Sequence, residues 1–194
     1  MTIELDKARK AALKILNDSN LLETAPIIPY EIVKNYGLQI VSAKFSDQYK
    51  DIVSGFLDFN QKKIFINGEE SVPRKTFTIA HELGHWILHK EIIKENSSLY
   101  SVLMRSNFNK EEHTNLEKEA NFFAANLLLP EKLIRKYINI SNSILELSYI
   151  FGVSNEFMKN RLKFLGYIHW VSEIYYYCKV DENMIKILKG VKYV

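Results

Sequence analysis

Apolar residues recur at helical spacing near the start of the chain. Leu5, Ala8, Ala12, Leu13, Ile15 and Leu16 roughly follow the 3.6-residue period and predict a helix over 4–17. Pro26 and Pro29 then break the pattern, and a short helix is expected at 30–36, ended by Gly37. Leu38-Gln39-Ile40-Val41 reads as a strand, as do 52–59 and 63–66 by their β-branched and aromatic content. Asn60-Gln61 between the last two suggests a hairpin. From Pro73 the pattern changes. Residues 73–90 are apolar on nearly every side (Phe77, Ile79, Ala80, Leu83, Trp86, Ile87, Leu88), which is the mark of a buried helix. Residues 94–110 are polar and irregular and predict a long surface loop. A second strong helix is expected at 111–129, closed by Pro130, with shorter ones at 131–139, 144–151 and 154–165. A late strand is expected around Tyr175-Tyr176-Tyr177.

Strands in the first third and helices thereafter predict an α+β protein with a small mixed or antiparallel sheet and a buried central helix. The 194 residues suit one domain with a small appendage. We expect a main domain over 1–140 and a helical extension over 141–194 packed on it. Composition removes several alternatives. At 47% hydrophobic and 25% charged, the chain is neither disordered nor low-complexity. A single cysteine, Cys178, excludes an intramolecular disulfide framework and a cysteine-rich zinc module. The net charge of +3 is spread along the chain, giving no polybasic footprint for nucleic acid or membrane. No signal peptide and no membrane span are expected, so the expected location is the cytoplasm.

Three of the five histidines fall in the buried helix. His81-Glu82-Leu83-Gly84-His85 is an H-E-x-x-H motif. Residues four apart sit ~40° apart around a helix, one turn up, so both imidazoles converge on one point, where a zinc ion fits. Glu82 lies ~100° round the helix and is placed to act as a general base on a bound water. Two core histidines with satisfied hydrogen bonds are the plain alternative. A buried His-Glu-His set must compensate its desolvation, however, and a metal ion does so. His89 rises ~12 Å above His81 along the axis and cannot join the same ion; it is expected behind the ligands or at the helix end.

The second helix offers a third ligand. Its apolar stripe runs through Leu116, Ala120, Phe123, Ala124 and Leu127. On a helical wheel Glu117 lies at the edge of that stripe, with Asn121 one turn above as a hydrogen-bond partner. Glu119 falls on the other side, nearer Asn115 and Asn126. Glu117 is therefore favoured over Glu119 as ligand. His113 is a weaker ligand candidate, but could contact a substrate oxyanion, as could Tyr100 or His169.

Two blocks together resemble a known family. Phe77-Thr78-Ile79-Ala80-His81-Glu82-Leu83-Gly84-His85, followed by Leu88-His89, is similar to the active-site helix of the ImmA/IrrE family of metallo-endopeptidases. Glu117-Lys118-Glu119-Ala120-Asn121-Phe122-Phe123-Ala124-Ala125-Asn126-Leu127-Leu128-Leu129-Pro130 resembles the family's second block, with Leu129 where the family pattern has Met. The resemblance spans roughly residues 5–170. It implies a zincin-like fold, with zinc on His81, His85 and Glu117 and Glu82 as catalytic acid/base. It also implies a helix-turn-helix repressor as substrate, encoded on a mobile element, prophage or stress-response locus, with cleavage relieving repression.

Residues 147–162 resemble a helix-turn-helix, with Gly152 in the turn. Glu156 near the start of its second helix, opposed by Lys159, Arg161 and Lys163, disfavours DNA reading through 144–165; packing on the peptidase part is the preferred reading. A substrate strand is expected on a sheet edge formed by 52–59 or 63–66. The competing function is a repressor- or DNA-binding regulatory module whose zinc site is not catalytic. Trp86 and Trp170 are expected in the core or a pocket wall, and Cys178 as a buried apolar group.

Overall fold

The computed structural model describes residues 3–47, 53–95 and 110–171. The expected strand around Tyr175 and the placement of Cys178 and Tyr100 lie outside them. Helix α1 (Leu5–Asp18) turns Ala8, Ala12, Ile15 and Leu16 inward. Helix α2 (Pro29–Asn35) begins on a proline, whose missing N–H costs nothing in a first turn. Gly37, at φ +68, lets the chain reverse into β1 (Gln39–Ala43).

Strands β2 (Gly55–Asp58) and β3 (Lys63–Asn67) form the expected hairpin. Its turn is set by Asp58, whose carboxylate accepts from the backbone N–H groups of Asn60 and Gln61, each at 2.9 Å. The sheet order is β1-β3-β2, with β1 parallel and β2 antiparallel to β3. The sheet is thus mixed, and 63–67 is its central strand. That removes 63–66 as a substrate-receiving edge and leaves β2. Ile64, Ile66 and Leu57 point to the core, while Phe56 and Phe65 stack on the outer face with centroids 4.8 Å apart.

Helix α3 runs Val72–Glu95, past the expected end at 90. Ser71 caps it by accepting from Arg74 N–H, and Pro73 sits in its first turn. The helix is buried on two sides because β2 and β3 cover one flank and α4 (Lys110–Leu128) another. The stretch expected to be loop is therefore shorter at both ends: 94–95 and 110 are helical.

Two glycines set the spacing of these layers. A Cβ on Gly55 would lie 2.5 Å from Thr78 Cγ2 and 2.5 Å from Phe65 O, so β2 lies directly on α3 one turn before His81. A Cβ on Gly84 would sit 3.0 Å from Phe123 Cδ1 and 3.3 Å from the Ala120 backbone, so α3 and α4 meet nearly backbone to backbone.

Helices α5 (Glu131–Ile138), α6 (Ile144–Phe151) and α7 (Asn155–Leu165) follow, then a 3-10 turn at Ile168–Trp170. Ser143 and Ser154 cap α6 and α7, and Gly152 at φ +64 makes the turn between them. Leu147, Phe151, Met158 and Leu162 join the same core as Leu16, Leu83 and Phe123. Trp86 is buried and stacks on Phe59 at 5.6 Å, whereas Trp170 is 67% exposed, contrary to expectation. The 3-10 turn places Trp170 outside the apolar layers. Among the described residues, no helix is long and apolar enough to cross a membrane.

Candidate metal centre

The close approach at Gly84 brings the carboxylate of Glu117, on α4, to the two imidazoles of α3. His81 Nε2 and His85 Nε2 are 3.0 Å apart. Glu117 Oε2 lies 3.3 Å from the first and Oε1 lies 3.4 Å from the second. These three residues form a group whose candidate ligand atoms all lie within 4.8 Å of one another. A tetrahedral ion with bonds of ~2.0–2.1 Å sets its donor atoms about 3.3 Å apart, so the observed separations fit such an ion. Both histidines are buried and Glu117 is half-buried.

The outer nitrogens of the pair are held from behind. Asn121 Oδ1, one turn above Glu117, lies 3.0 Å from His81 Nδ1. An amide oxygen can only accept, so His81 carries its proton on Nδ1 and turns a lone pair inward at Nε2. His85 Nδ1 lies 3.0 Å from His89 Nδ1. His89, only 1% exposed, has its Nε2 3.0 Å from Glu119 Oε2. His89 thus stands behind His85, outside the three-residue group.

Charge follows geometry. Burial pulls the His81 pKa down, but Glu117 and Glu82 outweigh it and hold it above the ordinary 6.5. Burial dominates at His85, whose pKa falls to about 3, and lowers His89 as well. Burial raises Glu117, yet the hydrogen bonds to His81 and His85 win and keep it well below the usual carboxylate range. Two buried imidazoles and an ionised carboxylate, with their lone pairs converging, form a group that could hold a divalent cation. Glu82 is buried on the same helix, 3% exposed, and acts on the charge of His81.

The other sequence candidates fall differently. His113 lies in the first turns of α4, but its side chain is outside the described residues. His169 sits exposed in the 3-10 turn. Glu119, on the other side of the apolar stripe from Glu117, is buried. It is 6% exposed, with Oε1 accepting from the Glu4 backbone N–H at 2.7 Å. A wheel assumes one partner for a helix, whereas α4 packs against both α1 and α3. The signal that could have found Glu119 is the unexplained His89, which needed a buried partner.

Arg161 is one of the three basic residues that oppose Glu156 in the helix-turn-helix-like segment. It is 3% exposed: Nε donates to Leu129 O at 3.0 Å and Nη2 to Asn126 Oδ1 at 2.8 Å. Burial lowers its pKa to about 10. It closes the carbonyl end of α4, where orphan C=O groups and the helix dipole favour a cation.

Comparison with known proteins gives a concordant picture. Residues 33–163 match the Peptidase M78 family model, described as the IrrE N-terminal-like domain. The chain is 28% identical over 134 residues to "Uncharacterized immunity region protein 2" of Bacillus phage phi105, covering 66% of this chain and 75% of that protein. It is 34% identical over 97 residues to "Metallopeptidase ImmA" of Bacillus subtilis (strain 168), covering 50% of this chain and 46% of that protein. A solved structure named "Mycobacterium tuberculosis transcriptional regulator" shares the fold, with a TM-score of 0.59 at 20% identity, over 81% of this chain and 46% of that one.

Proposed function

The chain belongs to the Peptidase M78 family of metallopeptidases, and from that premise we propose that it is a zinc-dependent endopeptidase whose substrate is a helix-turn-helix repressor. The observation that carries this reading is the convergence of His81 Nε2, His85 Nε2 and the Glu117 carboxylate within 4.8 Å, on the helix that also buries Glu82. In this reading His81, His85 and Glu117 hold zinc, Asn121 orients His81, and His89 supports His85. Zinc, when bound, supplies Lewis acidity to a water and to the scissile carbonyl. Glu82 takes the proton of the attacking water and delivers it to the leaving amine nitrogen. The water oxygen joins the carbonyl carbon as the C–N bond breaks.

The substrate enters as a strand. β2 is an edge of the sheet and lies on α3 through Gly55 and Thr78, next to His81. A peptide pairing there brings its carbonyls over the α3 motif. The repressor assignment draws on the phage immunity-region relative, and the site of action is the cytoplasm. We place the peptidase unit in 1–140 and treat 141–194 as an extension packed on it. Phe157 of α7 meets Phe77 of α3 edge-on at 5.0 Å, in keeping with that arrangement. The buried Arg161 speaks against the competing DNA-binding module, since one of the three basic residues of α7 is committed inward.

The test is incubation of the zinc-loaded protein with the repressor encoded beside it, followed by gel and mass analysis. Cleavage by the wild type, lost by roughly a hundredfold to ten-thousandfold in Glu82→Gln at unchanged zinc content, is the expected result. Equal cleavage by Glu82→Gln overturns the role given to that residue. An intact repressor with the wild type, together with zinc-dependent binding to it, turns the reading towards sequestration.

A further inference from the structure

The hydrogen bonds behind His85 run further than a single supporting group. Glu119 Oε2 faces His89 Nε2, and a carboxylate only accepts, so His89 carries its proton on Nε2. The Nδ1 of a neutral His89 is then a lone pair. It faces His85 Nδ1 at 3.0 Å, so His85 must donate from Nδ1. The inward nitrogen, His85 Nε2, is left with the lone pair a cation requires. Each tautomer follows from the one before, and the chain starts at a carboxylate. The other oxygen of that carboxylate is fixed by the Glu4 N–H at 2.7 Å, at the residue that caps α1. His85, His89 and Glu119 are all buried, so water does not compete for these bonds.

We propose that Glu119 is a positioning residue of the metal centre: held by the backbone N–H at the N-cap of α1, it dictates through His89 which nitrogen His85 offers to the ion. This rests on the zinc site proposed above. It assigns to Glu119 a function at a distance, since the carboxylate itself lies outside the ligand group. Outer partners of this kind set ligand orientation and basicity, and their loss weakens metal binding roughly tenfold to a hundredfold.

The experiment uses the full chain with Zn²⁺ and Co²⁺ as probes. Zinc affinity is measured by competition with a chromophoric chelator, the cobalt visible spectrum reports ligand geometry, and the melting temperature of the metal-free protein reports packing. His89→Phe keeps the ring volume and breaks the relay; Glu119→Ala removes its origin. Asn126→Ala serves as the packing control, because it loosens the other end of α4 without touching the centre. The proposal expects both relay variants to lose about tenfold to a hundredfold in zinc affinity and to alter the cobalt spectrum, while Asn126→Ala lowers the melting temperature and leaves both metal readouts alone. If Glu119→Ala does not fold, His89→Phe still decides. Relay variants with wild-type zinc affinity and cobalt spectrum, and only a lower melting temperature, overturn the positioning role while leaving the zinc site standing. A wild type that binds neither ion overturns both.

Discussion

Helix α4 carries two buried polar clusters, and they end differently. At its middle, Glu117 and Asn121 meet His81 and His85, with Glu119 and His89 behind. At its end, Asn126 bridges its own helix and α7: Nδ2 donates to Phe122 O at 2.8 Å while Oδ1 accepts from Arg161. The second cluster pairs donors with acceptors. In the first, every hydrogen bond at the rear directs another acceptor lone pair to the front. Burial is common to both, so burial alone does not mark a functional site. What marks it is an excess of one kind of partner, here acceptors, converging on a volume of ionic size.

The contrast can be broken from the structural end first. Arg161→Ala leaves Leu129 O and Asn126 Oδ1 buried without their donor, which costs about 2–4 kcal/mol of stability. Zinc affinity should not change. A chemical denaturation curve and a chelator competition on the same sample check both halves, and a large loss of zinc affinity would show that the two clusters act as one.

pH separates them next. His81 lies above 6.5 in the metal-free protein and Glu117 below 4.5, so their pairing stabilises that form fully between those two values. This contribution fades as pH rises through the His81 titration, and again as pH falls through that of Glu117. Zinc binding runs the opposite way. It needs neutral His81, so apparent zinc affinity falls about tenfold for each pH unit below the His81 titration. Arg161 keeps its charge throughout, because its pKa is about 10. Zinc titrations at several pH values, run beside melting curves of the metal-free protein, should show the two trends crossing; a flat zinc affinity would contradict the assignment of His81.

The smallest effect belongs to the spacing between the helices. Gly84→Ala gains about 1 kcal/mol of helix propensity but overpacks against Phe123 and Ala120 at a cost of about 1–3 kcal/mol. A net loss of about 1 kcal/mol is expected, together with weaker zinc binding, since Glu117 moves with α4. Calorimetry and the same chelator assay check it. Stabilisation with unchanged affinity would mean that the close approach is dispensable.

The two clusters also differ in how far the sequence announced them. The first contains a spaced motif on an all-apolar helix and a carboxylate at a stripe edge, so His81, Glu82, His85 and Glu117 could be picked out by period alone. Glu119 could not, because its partners come from two other helices, one of them through a backbone N–H that no side-chain pattern reveals. Arg161 was hidden for a related reason: a charge on a short helix looks solvated until the carbonyl end it covers is known. The helices and the hairpin were legible from local periodicity. The parallel pairing of β1 with β3 was not, because the residues that decide it are separated by the whole of β2 and its turn.

The edge strand β2 spans four residues, Gly55–Asp58. At ~3.3 Å per residue, that is a ruler of about 13 Å. If a substrate pairs there as proposed, it shows so short a ruler little of its sequence, and many unrelated segments would satisfy the main-chain contacts equally well. On that reading, discrimination between one target and the rest of the proteome would come from whether a candidate segment can be presented as a free strand at all. A locally unfolded or unlatched region of the target would be the true recognition signal, and the target's own stability would set the rate at which it is destroyed.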